Sequence, residues 1–339
     1  MGRTQPGHRV ADPANLIAIG IEDGHSGETG DVHPGRRAHA HQPKGLGFIN
    51  MSTLAYEIVD VFTDRPYAGN PLAVVFGAEE LATEQMQQLA REFNLSETVF
   101  VLPATQVGAT YRARIFTPTE ELPFAGHPSV GAAVTASRRG LFGMGQITQE
   151  CHAGVLLIDV TDGGATLTGG NPTLGPELDP EPLLEMAGLT AEDHSGPPPR
   201  VAGCGLEFPF LPVRPDALAR AQVNPVAARR YGIEHVSVFS WNAATQTAHA
   251  RVFVPSLGVP EDPATGSAAL GLGVWLVASG LLPAEGKSSY TVRQGVEMGR
   301  PSSLACTVTA DGGVAVGATV AGQVMAVARG EILVPPFVG

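Results

Sequence analysis

The sequence predicts an α+β protein of two pseudo-symmetric halves, each a mixed or antiparallel sheet wrapped around a central helix, with the active site in the cleft between them. Three observations carry that expectation. Short strand patterns bounded by Gly, Pro or Asn recur along the chain. Two small-residue apolar segments stand out, GAAVTAS at 131–137 and ALGLGVWLVAS at 269–279, apolar on every side as a helix enclosed by a sheet must be. The surroundings of these helices occur twice: ARIFTP at 113–118 matches ARVFVP at 250–255, and HPSVGAA at 127–133 aligns with DPATGSA at 262–268.

Taken in order, residues 1–50 are rich in Gly, Pro, His and Arg and are expected not to fold. His39 and His41 have a spacing that could hold a metal on a strand, but nothing nearby supplies a frame. Met51, followed by STLAYEIVDVF, reads as a domain beginning and is the expected biological start. From Ala55 the chain reads strand, Gly/Asn/Pro turn, strand through Phe76. TEQMQQLAREF then puts Met86, Leu89, Ala90 and Phe93 on one helical face. Asn94 to Glu97 form a turn into a strand of Val99, Phe100 and Val101, YRARIFTP at 111–118 is another strand, and Gly126 and His127 sit where a turn enters a helix. Gly69 to Val101 resembles Gly205 to Phe239, where an Ala/Arg-rich helix separates two strands, and IDVTDGG at 158–164 resembles VTADGG at 308–313. The expected halves are therefore 51–178 and 179–339, joined by the Pro/Gly-rich linker NPTLGPELDPEP.

With 339 residues, 43% of them hydrophobic, the chain can bury one large core or two medium ones, and two are expected. No apolar run approaches the roughly 18 to 20 residues needed to cross a bilayer, and no basic segment precedes an apolar core at the N-terminus, so the protein is read as cytoplasmic with no membrane partner. A net charge of −12 makes nucleic acid an unexpected partner. Cys151, Cys204 and Cys306 are far apart, with no CxxC, which argues against zinc and disulfides and for buried small apolar residues. GxxxxGK[ST], GxGxxG after a first strand and HExxH are all lacking, which leaves no case for nucleotide or zinc chemistry.

The opening of the second helix, Thr265, Gly266 and Ser267, would offer unpaired N–H groups and a positive dipole end to a substrate carboxylate. Asp262 and Thr265 would equally serve as ordinary helix caps. If both helix openings face one cleft, His127 and Asp262 meet by pseudo-twofold symmetry, in the kind of place between domains where ligands are held.

NLSETVF, RIFTPTEELPFAGHPSVGA, EDPATGSAA and QGVEMGRPS together resemble the motif set of the PhzF family, phenazine-biosynthesis isomerases and relatives, over essentially all of 51–339. The resemblance implies a diaminopimelate epimerase-like fold, a homodimer, and cofactor-independent isomerisation, as of trans-2,3-dihydro-3-hydroxyanthranilate. It places Glu97 as the catalytic carboxylate that moves a proton between carbons, with His127, Asp262 and Ser267 as the other polar cleft positions. Relatives that racemise amino acids carry a cysteine from each half at the helix openings, and this sequence has none there.

The residues by themselves are compatible with that chemistry without naming it. A carbon acid needs a base near the C–H bond and stabilisation of the charge left behind. Partial burial of Glu97 would raise its pKa so that it can take and return a proton, and His127, oriented by Asp262, could donate to the developing enolate. Ser267 and the N–H groups near Gly126 and Gly266 would hold the substrate carboxylate, with Ser96 a further contact. Asn70, in GNP, reads first as a turn former and is kept as a substrate-side candidate. No metal site is expected. The alternatives are an epimerase or racemase using Glu97 and His127 as two bases, and a non-catalytic binding protein on the same fold.

Overall fold

The computed structural model describes residues 52–255 and 260–336. The expectations for residues 1–50, including His39 and His41, and for Met51 lie outside the described residues. The first half contains β1 (Thr53–Val61), β2 (Asn70–Phe76), α1 (Thr83–Phe93), β3 (Glu97–Leu102), β4 (Tyr111–Phe116), β5 (Glu121–Leu122), α2 (Gly126–Arg138), β6 (Gly145–Cys151), β7 (Gly154–Thr161) and β8 (Gly164–Thr168). The second contains β9 (Pro172–Glu177), α3 (Pro180–Met186), β10 (Arg200–Cys204), β11 (Glu207–Pro212), α4 (Pro215–Leu218), α5 (Pro225–Tyr231), β12 (Val236–Asn242), β13 (Thr247–Phe253), β14 (Glu261–Asp262), α6 (Gly266–Ala278), β15 (Gly286–Gln294), β16 (Ser302–Asp311) and β17 (Val314–Leu333).

Strand pairing repeats connection for connection. β2 runs parallel to β3; β4 is antiparallel to β3 and β5 and parallel to β6; and β6, β7 and β8 follow as an antiparallel series. In the second half β11 runs parallel to β12; β13 is antiparallel to β12 and β14 and parallel to β15; and β15, β16 and β17 follow antiparallel. Each set encloses one helix. α2 is buried from Gly126 to Ala136 and packs on β1, β2 and β8, whereas α6 is buried from Gly266 to Val277 and packs on β10, β16 and β17. Their Ala, Gly, Val and Leu surfaces let strands approach from all sides, which explains why neither helix has a polar stripe. α1 has one: its buried residues are Gln85, Met86, Leu89 and Ala90, which cover a satellite core that includes Phe100 and Phe116.

β17 belongs to both halves. Its residues 314–321 pair with β16, 319–323 with β8, and 324–333 with β1.

Three details depart from the sequence reading. NPTLGPELDPEP is not a bare linker: its residues form β9, paired with β10, and the start of α3, where the Asp179 side chain accepts from the Glu181 N–H. Pro is tolerated at the start of such a strand and in the first turn of a helix. The Ala/Arg-rich helix is two helices: α4 ends at Leu218, and α5 starts anew at Pro225, with Asn224 capping it through the N–H groups of Val226 and Ala227. The alignment of HPSVGAA with DPATGSA is also offset. Both central helices begin at a glycine five residues after a strand glutamate, Glu121 to Gly126 and Glu261 to Gly266, so the structural partner of His127 is Ser267 and that of Asp262 is Leu122.

The largest fully buried side chain, Trp275 on α6, lies edge-on to Phe239 of β12 at 5.1 Å. Trp275→Ala is expected to lower the unfolding free energy by about 3–5 kcal/mol, read as a shift in urea midpoint.

Candidate active site

Each central helix is entered through a turn pinned by one arginine. Arg114 of β4 donates through Nε and Nη2 to both oxygens of Glu121 on β5, at 2.8 and 2.6 Å, and Arg251 of β13 does the same to Glu261 on β14, at 2.9 and 2.7 Å. Such two-point pairs fix direction as well as distance. The helices are thereby aimed at each other. A Cβ placed on Gly126 would lie 3.2 Å from Gly266 Cα and 3.3 Å from Ser267 N, so only glycine allows this approach without displacing the opposing backbone. The N–H groups of these first turns have no acceptor within their own helix, and two positive dipole ends converge.

Carboxylates gather at this point. Asn70, fully buried at the start of β2, joins the halves: its Nδ2 donates to Asp262 Oδ1 at 2.8 Å and to the Ala264 carbonyl at 2.9 Å, and lies 3.1 Å from His127 Nδ1. Three acceptors surround a group with two hydrogens, so one hydrogen is shared. An imidazole nitrogen facing an amide donor carries its lone pair there, which places the proton of His127 on Nε2. Nε2 lies 3.2 Å from Glu97 Oε2 but out of line for a good hydrogen bond, and both atoms are buried with no hydrogen-bond partner in the structure. The Glu97 side chain keeps 14% of its exposure and that of His127 4%.

The electrostatics separate these groups. Burial pushes Glu97 well above the usual carboxylate range, and the charge of Asp262 pushes the same way. Burial lowers His127 to about 3, so the imidazole is neutral near pH 7 and its contact with Glu97 is not an ion pair. Asp262 is raised by burial and by Glu261, against donation from Thr265 and Asn70. The Thr265 hydroxyl donates to Asp262 Oδ2 at 2.5 Å. Both oxygens of Asp262 are thus occupied, whereas Glu97 Oε2 is not. Both carboxyls are raised, chiefly by burial, and such shifts beside a buried imidazole mark a candidate acid–base site.

A groove of about 1200 Å³, lined by Phe62, Arg65, Trp241, Arg293 and Gln323 among others, contains none of these residues. Phe62 separates the two regions, its ring lying against Gly266 on one side and lining the groove on the other. The convergent titratable groups mark the buried cluster, not the groove, as the candidate site.

Residues 59–330 match the family model described as phenazine biosynthesis-like protein. The chain belongs to this family, as a PhzF-type isomerase. An uncharacterized isomerase of Mesorhizobium japonicum is 36% identical, over 84% of this chain and all of that protein. A trans-2,3-dihydro-3-hydroxyanthranilate isomerase of Pseudomonas chlororaphis is 33% identical, over 74% of this chain and 88% of its own. Among solved structures, a PhzF-family protein of Bacillus anthracis superposes with a TM-score of 0.75 at 26% identity, covering 84% of this chain and 100% of that one. A protein of Agrobacterium radiobacter described as a probable proline racemase shares the fold, with a TM-score of 0.61 at 13% identity over 84% of this chain and 94% of its own. The α+β, epimerase-like architecture in two halves is therefore that of PhzF proteins and proline racemases alike.

Of the residues singled out in the sequence, Glu97, His127, Asp262, Asn70, Gly126, Gly266 and Ser267 lie in or at the edge of this cluster. Ser267 is buried on the first turn of α6. Ser96 is half-buried just before β3, next to Glu97 in the chain. Asn70 is more than a turn former, since it touches three separate parts of the site. Gln294 escaped the sequence reading although its motif, QGVEMGRPS, was in view, because a lone Gln at a strand end carries no chemical signature. The three cysteines are buried and unpaired. Among the described residues no cluster could hold a metal, and no helix is long and apolar enough to cross a membrane.

Unfolded, His127 takes up a proton near pH 6.5; folded, it does so only near 3. Between these values the unfolded chain binds more protons, so this residue makes the fold lose stability as pH falls from about 6.5 toward 3. In ¹⁵N-histidine spectra, the His127 resonances, assigned by their loss in His127→Gln, are expected to keep the neutral Nε2–H pattern from pH 8 to pH 5. A midpoint near 6.5 would contradict the burial.

Proposed function

We propose that this isomerase moves a proton between carbons of a small, carboxylated, cyclic substrate resembling dihydrohydroxyanthranilate, with Glu97 as the general acid and base. The observation that carries the reading is the pair of buried atoms, Glu97 Oε2 and His127 Nε2, left without hydrogen-bond partners beside two converging helix starts. Buried polar groups are normally satisfied, and such exceptions in a native fold call for a ligand or a chemical role.

In the proposed reaction the substrate carboxylate lies at the first turns of α2 and α6, held by backbone N–H groups near Gly126 and Gly266 and by the Ser267 hydroxyl. The Glu97 carboxylate takes the proton from one ring carbon, and the C–H electron pair enters the adjacent double bond. The converging dipoles and the His127 Nε2–H oppose the negative charge that develops. Glu97 then returns the proton to another carbon, and the product enol tautomerises to its ketone. Electrons and protons balance within the substrate, so no step requires a cofactor. A carboxyl with a raised pKa suits both halves of this exchange. Two-base epimerisation is disfavoured, since an imidazole held near pKa 3 is a poor base. The protein is proposed to act as a homodimer.

Glu97→Gln is expected to retain ligand binding by calorimetry and to lose substrate turnover and deuterium uptake from D₂O by about 10²- to 10⁴-fold. Exchange at the wild-type rate would remove Glu97 from the mechanism, and binding without exchange by the wild type would favour a binding protein.

A further inference from the structure

The motif at 294–302 supplies none of the groups assigned above, yet it reaches the cluster from two sides. At its start Gln294 is buried; its Oε1 accepts from the Thr265 N–H at 3.1 Å, and its Nε2 donates to the Asp262 carbonyl at 2.7 Å and to Thr265 Oγ1 at 3.0 Å. A hydroxyl that already accepts from an amide can send its own hydrogen elsewhere. Thr265 sends it to Asp262 Oδ2.

At the other end the motif crosses to the first half. Arg300 donates through Nη2 to Asp60 Oδ1 at 2.5 Å and to the Ala68 carbonyl at 3.0 Å, and through Nε to the Gly69 carbonyl at 2.8 Å. The Gly69 N–H donates back to the Pro301 carbonyl at 3.3 Å, and Ser302 Oγ donates to the Pro263 carbonyl at 2.9 Å. Gly69 precedes Asn70, the donor to Asp262 Oδ1. Asp60 is itself buried and takes the Tyr67 N–H at 2.6 Å, so the crossing is anchored at a fixed point.

We propose that residues 294–302 are a positioning clamp: Gln294 sets the Thr265 hydroxyl, Arg300 sets the Asn70 amide, both oxygens of Asp262 are thereby occupied, and Glu97 is left as the carboxyl that meets His127 and the substrate. The proposal rests on the reading of Glu97 given above. Neighbouring carboxyls compete for one proton, and the better solvated one keeps the charge. Two donors on Asp262 decide that competition. The titratable groups facing His127 and Glu97 are Asp262 of β14 and, through its charge, Glu261; Asp60 and Arg300 stand behind Gly69.

Arg300→Ala, Arg300→Lys and Gln294→Leu are compared with wild type. The clamp predicts a kcat for deuterium exchange lower by about 10- to 100-fold in Arg300→Ala and Gln294→Leu, with KM changed less than about threefold. It also predicts an acid limb of kcat moved to lower pH as Glu97 loses its proton more readily, with partial recovery in Arg300→Lys. A strut with no bearing on the cluster would lower Tm and leave both kcat and the acid limb in place. The ¹⁵N signal of His127 needs no turnover and separates the two readings. If that signal is unmoved in the variants that fold, the clamp is overturned whatever becomes of Glu97. If it moves while Glu97→Gln still exchanges deuterium, the base assignment fails alone. Should Arg300→Ala not fold, Arg300→Lys and Gln294→Leu carry the same two tests.

Discussion

Two helices can begin within touching distance of each other only if neither carries a side chain at the point of contact, and Gly126 and Gly266 meet that condition. Bringing two positive dipole ends together is unfavourable by itself. The cost is offset by negative charge nearby, and Asp262, whose two oxygens accept from Asn70 and Thr265, is the carboxyl placed to carry it. The arrangement explains why acidic residues are tolerated in so apolar an interior.

Duplication builds the scaffold, and departures from symmetry build the chemistry. The paired arginines, Arg114 and Arg251, stand on the same strand in each half and aim the two helices alike. At equivalent positions of the repeat the halves differ, with His127 matched by Ser267 and Leu122 by Asp262. One half contributes the imidazole and Glu97, the other the second carboxyl. Asn70 joins the two contributions through a single amide. A symmetric pair of bases would suit inversion at one carbon, whereas unequal groups suit moving a proton from one place to another.

Much of this was legible in the sequence. Alternating strands, two helices apolar on all faces and the repeated ARIFTP and ARVFVP segments led to the architecture, because each reflects burial that composition records directly. Glu97 was reached only through resemblance; a glutamate between a turn and a strand has no local sign of being buried. The offset of the HPSVGAA alignment arose from matching similar letters, where the true register is set by helix starts five residues after Glu121 and Glu261. Gln294 and the hub role of Asn70 were invisible because they depend on contacts such as Asn70 to Asp262, 192 residues apart, which no local pattern encodes.

β17 gives the molecule an order of assembly. It closes the first half by pairing with β1, and Thr53 and Glu331, which meet through a side-chain hydrogen bond at that seam, are separated by 278 positions. While the chain is being synthesised from its N-terminus, β1 therefore presents one edge with no neighbour until nearly everything else has emerged. An open edge of that kind invites pairing with other chains. The half that carries Glu97 and His127 is thus made first and finished last, and its exposure during synthesis is a burden the duplicated design carries in exchange for tying both halves with one strand.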